Sequence, residues 1–153
     1  AREAMYDMRL LVFELRPFML EKEGLASAVR ARLSAVEARA GLKTELLVDD
    51  ERRLPVSVEE QIFRIIQEGL TNVVKHAQSS KVQIHLKYEQ AALRVEIMDD
   101  GLGFDIRNIS QSGGVGLKDI QERVQQLSGR LEIESAPGEG TRLNVTIPMR
   151  AVD

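Results

Sequence analysis

Leu25, Val29, Leu33 and Val36 recur at helical spacing in GLASAVRARLSAVEARAG, and Gly41 stands where such a helix would end. Upstream, AREAMYDMRLLVFELRP sets Met5, Met8, Val12 and Leu15 on one stripe with Leu11 beside them, and Pro17 is expected to stop that helix. Its apolar face is wide, which predicts packing on another surface. KTELLVDD reads as a strand. LPVSVEEQIFRIIQEGLTNVVKHA is the strongest helix, with Ser57 and Glu60 spaced for a capping box. The second half changes period. KVQIHLKY alternates Val82, Ile84, Leu86 and Tyr88, and LRVEIMD alternates Leu93, Val95 and Ile97, as half-buried strands do. A glycine-rich loop follows, DDGLGFDIRNISQSGGVG, then a helix in LKDIQERVQQLSG. Strands RLEIES and TRLNVTIP flank the turn APGEG and should pair antiparallel. These elements predict an α+β fold, a two-layer α/β sandwich with helices on one face of a mostly antiparallel sheet.

One helix does not fit a purely structural role. Ile62, Ile66, Gly69, Leu70 and Val73 share its apolar face, while Glu68, Asn72 and Lys75 fall within about 60° of one another along one border. His76 lies between that border and the core. Gly69 costs about 1 kcal/mol against alanine in a helix interior. A solvated edge would explain the polar residues alone. MDDGLGF changes the balance, because it leaves a strand with Asp99 at its end and Asp100 opening the turn. SGGVGL follows a dozen residues later and opens a helix whose free N–H groups suit phosphate. Glycines let backbone approach a ligand closely.

Composition narrows the classes. A hydrophobic fraction of 43% and a charged fraction of 29% fit one soluble globular domain of 153 residues. A net charge of −3 argues against a nucleic-acid partner. With no cysteine, disulfides, thiolate metal sites and cysteine nucleophiles drop out. No apolar run is long enough to span a bilayer, so no membrane contact is expected of this segment and a cytoplasmic location is the simplest. The abrupt helical opening without a starter methionine reads as a piece of a longer protein, one that could itself be membrane-anchored. Arg30, Arg32 and Arg39 read as a solvated face, and His85 as an exposed residue on the polar side of its strand.

Taken in order, EGLTNVVKH, DDGLGF, GGVGL and PGEGT resemble the motif set of the ATP-binding fold shared by gyrase, the Hsp90 chaperone, sensor histidine kinases and the MutL mismatch-repair protein, the Bergerat fold. The likeness runs from about residue 24 to residue 148. LRP, the following GL, NVVKHA and the closing GLKDIQERVQQLSGRLEIESAPGEGTRLNVTIP are most similar to histidine kinases of the nitrate/nitrite-sensor type. The resemblance implies a domain division, with residues 1–20 as the remnant of a dimerisation helix and 21–153 as the catalytic domain. It implies Mg²⁺ and ATP as cofactors, with Asn72 as the metal ligand, Glu68 orienting a Mg²⁺-bound water or acting as base, and Lys75 on phosphate oxygens. His76 would flank the phosphate or ribose. Asp99 would accept from the adenine amino group, a contact that guanine's carbonyl would repel. Thr141 would support that aspartate. Gly101, Gly103, Gly114, Gly116 and Leu117 would shape the nucleotide loop, with residues 104–113 as an ATP lid. Neither His76 nor His85 matches the phosphate-accepting motif, so the implied partners are the dimerisation and phosphotransfer helices of a parent kinase and a response regulator. Alternatives are an anti-sigma-factor-type serine kinase of the same fold and a non-catalytic nucleotide-binding module.

Overall fold

A helix laid on a sheet at close range needs a residue without a side chain at the contact, and Gly69 is that residue. A Cβ there would lie 2.7 Å from Ile97 Cδ1 and 3.7 Å from Leu143 Cδ1. The computed structural model describes residues 17–108 and 114–149. The helix expected over residues 5–15 lies outside the described residues. Helix α1 (Pro17–Glu23) starts the described chain, so Pro17, expected to stop a helix, is itself helical. Next come α2 (Leu25–Ala40), closed by the Gly41 N–H on the Glu37 carbonyl, then β1 (Lys43–Asp49) and α3 (Val56–Asn72). A π-helical turn (Val73–Ala77) leads to β2 (Lys81–Tyr88) and β3 (Ala92–Asp99). A short 3₁₀ turn (Ile106–Asn108), α4 (Gly114–Gln126), β4 (Arg130–Ser135) and β5 (Thr141–Pro148) complete it.

The five strands lie in the order β1-β2-β3-β5-β4, with β1 parallel to β2 and the other pairs antiparallel. Val82, Ile84 and Leu86 of β2, Leu93, Val95 and Ile97 of β3, and Leu143, Val145 and Ile147 of β5 are buried on one face. Ile62, Ile66, Leu70 and Val73 of α3, Leu25, Val29 and Leu33 of α2, and Ile120 and Val124 of α4 cover them. This is the two-layer arrangement that the alternating strands predict. Arg123 of α4 donates from Nη1 to Gln61 Oε1 of α3 at 3.0 Å, tying the two helices beside the sheet. On the open face His85 is half-buried, Nε2 2.7 Å from Asp49 Oδ2, and Arg32 is likewise half-buried where full solvation was expected.

The start of α3 departs from the expected capping box. Pro55 takes the cap position, its carbonyl accepting from Val58 and Glu59, while Ser57 is exposed and caps nothing. The acid that folds back is Glu59, fully buried at 0% exposure. Its Oε1 accepts from Arg53 Nη2 at 3.1 Å, and its Oε2 from Arg53 Nε at 3.3 Å and from the Leu54 N–H at 3.4 Å. Arg53 also donates to the carbonyls of Leu20 at 3.1 Å and Glu21 at 2.8 Å, so one guanidinium joins the end of α1 to the head of α3. Tyr88 lies close enough to feel these charges. Burial, reinforced by Glu51 and Glu59 and opposed by Arg53, pushes its phenol up to about 12. Spacing favoured Glu60, but tertiary burial selects the neighbouring acid because only there does a cation meet it.

Removing Arg53 strands a buried carboxylate. Arg53→Met is expected to cost about 3 kcal/mol in urea unfolding. The double change Arg53→Met with Glu59→Leu should recover at least about 1 kcal/mol of that, since the orphaned charge is then gone.

Candidate functional site

Helix α3 gives up its regular hydrogen-bond ladder where its polar border matters. At Val73 the backbone N–H reaches both the Gly69 and Leu70 carbonyls, and the chain continues as the π-helical turn before Gln78 adopts a left-handed conformation (φ 49°). Extra-residue turns of this kind recur at functional sites, where they re-aim the side chains that follow. Glu68 and Asn72 are half-buried on the flank of α3, while Lys75 is exposed on the π-helical turn. The side chain of His76 lies outside the described residues.

Asn72 meets the first turn of α4. A Cβ on Gly116 would stand 2.6 Å from Asn72 Oδ1 and 3.1 Å from its Nδ2, so the amide occupies the space that a side chain at 116 would need. Leu117 follows, half-buried and packed on the core, and Gly114 starts the helix. The first turn of α4 carries no acidic residue. Nothing in that turn therefore opposes an anion at the positive end of the helix dipole, beside the uncharged Asn72 amide.

Asp99 ends β3, half-buried. Its Oδ1 accepts from Ser79 Oγ at 3.0 Å and from the Gly101 N–H at 2.8 Å. Asp100 next to it is spent differently. Its Oδ1 accepts from the N–H groups of Ser80 at 2.9 Å and Lys81 at 3.0 Å, and its Oδ2 from the Ser80 hydroxyl. The Ser80 hydroxyl, then the Lys81 amide, hold the Asp100 carboxyl below the usual carboxylate range. So among the described residues Asp100 is the turn-forming neighbour and Asp99 the one with an oxygen to spare.

Behind Asp99 the loop is locked to the β4–β5 turn. Gly140 has φ +73°, and a Cβ there would fall 2.1 Å from the Asp99 carbonyl oxygen. At Gly103 (φ +65°) a Cβ would fall 2.1 Å from the Ala136 oxygen. Ser135 Oγ is the hub between them: it donates to the Gly140 carbonyl at 2.9 Å, accepts from the Phe104 N–H at 2.9 Å and sits 2.9 Å from Thr141 Oγ1. Thr141 faces Asp99 in the β3–β5 register, yet its hydroxyl partner is Ser135. Downstream, Asp105 is paired with Arg107, whose guanidinium at 3.0 Å and backbone N–H hold that carboxyl low. Of the stretch expected to form a lid, residues 109–113 lie outside the described residues.

The structure thus gathers Asn72 with Gly116, and Asp99 with Gly101 and Thr141, with Gly103 joined to them through Gly140. Glu68 and Lys75 share the α3 side. Sequence reasoning missed Ser79 and Ser135. Both are short polar residues at element ends, and no spacing rule distinguishes them from ordinary turn serines.

A family model for histidine kinase-, DNA gyrase B- and HSP90-like ATPases matches residues 57–151. Over 99% of its length the chain is 36% identical to an uncharacterized sensor-like histidine kinase of Chloroflexus aurantiacus, of which it covers 27%. It is 34% identical over 97% of its length to the sensor histidine kinase LiaS of Bacillus subtilis, covering 41% of that protein. Among solved structures, the blue-light activated histidine kinase of Erythrobacter litoralis EL346 overlays with a TM-score of 0.70 at 28% identity, across 81% of this chain and 41% of that one. The chain therefore spans less than half the length of these relatives.

Two glycines give separable outcomes. Gly140→Ala drives a methyl into backbone at a left-handed position and is expected to cost about 3 kcal/mol in urea unfolding, with loss of nucleotide binding. Gly116→Ala gains helix propensity, so its thermal midpoint should hold or rise. The displaced Asn72 amide should still lower nucleotide affinity about tenfold by calorimetry.

Proposed function

The chain belongs to the histidine kinase-, DNA gyrase B- and HSP90-like ATPases, as an ATP-binding catalytic domain of the sensor histidine kinase kind, and from that premise we propose how its residues divide the work. Asp99 reads the adenine through its open oxygen. Thr141 supports it through a bound water. Asn72 holds Mg²⁺ through its amide oxygen. No cluster of three His, Asp or Glu side chains among the described residues could hold a metal, so the cation draws its other oxygens from the triphosphate and water. When bound, Mg²⁺ neutralises charge on the phosphates.

Glu68 orients a water at the same rim, and exposed Lys75 meets phosphate oxygens as a point charge. His76 flanks the phosphate or ribose. The N–H groups from Gly114 to Leu117 receive phosphate oxygens at the head of α4, and Gly101 and Gly103 let the loop lie close to the base. Within the longer protein, residues 1–20 are the end of a dimerisation helix. The domain presents the γ-phosphate to a histidine on separate helices, and the phosphoryl group passes on to a response-regulator aspartate. That protein works with this domain in the cytoplasm. No described helix is long and apolar enough to cross a membrane.

The observation that carries this reading is the contrast between the two aspartates: among the described residues, Asp100 is consumed by backbone and hydroxyl donors, and Asp99 is held by one oxygen only. A half-satisfied acceptor at a strand end, beside a glycine loop, is a place for a ligand donor.

Calorimetric titration with non-hydrolysable ATP and GTP analogues, each with and without Mg²⁺, tests it. Adenine-selective binding is expected. Asp99→Asn should weaken it about tenfold or more, and Asn72→Ala should remove most of the Mg²⁺ dependence. A folded sample that binds neither nucleotide at millimolar concentration would overturn the reading.

A further inference from the structure

The paired serines after α3 do different things. Gln78 turns the chain left-handed out of the π-helical turn, and this brings Ser79 and Ser80 up to Asp99 and Asp100 at the end of β3. The β2–β3 register sets Val82 against Asp99, and the Asp100 N–H reaches the Lys81 carbonyl at 3.4 Å, so the two segments are locked side by side. Ser80 then completes a closed structural knot with Asp100. Ser79 does not close anything. Its hydroxyl donates to Oδ1 of Asp99 at 3.0 Å, the oxygen that also takes the Gly101 N–H at 2.8 Å. Among the described residues nothing donates to Oδ2.

A carboxylate held by one donor can pivot about that bond. Two donors converging on Oδ1 from different elements, one from the β3 loop and one from the exit of α3, restrict the rotation and decide where Oδ2 points. We propose that Ser79 is a positioning residue for nucleobase selection: it fixes the Asp99 carboxylate so that Oδ2 faces the exocyclic amino group of the purine. The proposal rests on the reading of Asp99 as the base acceptor and adds a residue that this reading does not contain. It also gives the π-helical turn a purpose. The same exit that follows Asn72 and Lys75 supplies the strut for Asp99, so the phosphate end and the base end of the site are joined through one short segment.

The ligand pair that isolates this contact is a non-hydrolysable ATP analogue and its counterpart on unsubstituted purine, which lacks the 6-amino group. Both are titrated calorimetrically into the chain with Ser79→Ala, Ser79→Thr and Asp99→Asn. Ser79→Ala is expected to lower affinity for the adenine ligand about fivefold, about 1 kcal/mol, and to leave the purine ligand unchanged. Ser79→Thr keeps the hydroxyl and should hold adenine affinity within about twofold of the parent. Equal losses on both ligands would mean a general structural role and overturn the proposal, as would a threonine variant as weak as the alanine one. If Asp99→Asn erases the preference for the amino group while Ser79→Ala leaves it whole, the assignment of Ser79 falls and the reading of Asp99 stands. If Asp99→Asn leaves the preference intact, the base reading itself falls and takes Ser79 with it.

Discussion

The site exists because α3 can lie close against the sheet. Its contact is set at Gly69, where a Cβ would fall 2.7 Å from Ile97 Cδ1, so that a side chain there would have to push that branch aside. From that point in the chain Asn72 is less than one helical turn onward, and from Ile97 Asp99 is one strand period onward on the same face. The close approach therefore brings the helix segment that carries Asn72 and the strand end that carries Asp99 to one contact. Gly69 gives up helix propensity, and the surrounding burial of Ile62, Ile66, Leu70, Leu143 and Val145 more than offsets it.

Around this contact the polar groups fall into two kinds. Some are closed: Asp100 with Ser80 and Lys81, Ser135 with Gly140, Phe104 and Thr141, Glu59 with Arg53. They hold turns and element ends in place, and their donors and acceptors are spent. Asp99 is of the other kind, braced on one oxygen and, among the described residues, open on the second. Rigid closed knots flanking one open acceptor are what a selective site needs, because pre-set geometry lowers the ordering cost of binding.

The two ends of α3 have opposite duties. Its N-terminal end is fastened by Arg53 and Glu59 to the carbonyls of α1. Its C-terminal end carries Asn72 and loosens into the π-helical turn that supports Ser79 and exposes Lys75. One helix thus joins the Arg53–Glu59 knot to the rim that carries Asn72.

Periodicity alone determined most of the architecture. The alternation in β2, β3 and β5 marks one buried face, the stripe of α3 marks the surface that covers it, and the glycine motifs mark the turns at their ends. Asn72, Asp99 and the glycine clusters stand out in the sequence because polar residues on an apolar helix border, and an acid between a strand and glycines, conflict with simple burial; the structure sets Asn72 against Gly116 and Asp99 on the Gly101 N–H. Only tertiary structure could decide that Glu59 and not Glu60 folds back at the head of α3, that β1 runs parallel beside β2, and that Ser79 and Ser135 brace the aspartate and the loop. The physical reason is common to all of these. Periodicity records which face a residue shows, a local property of one element. Which donor meets which acceptor depends on segments far apart in the chain, such as Ser79 with Asp99 and Phe104 with Ser135, and that pairing comes into being only when the sheet brings their ends together.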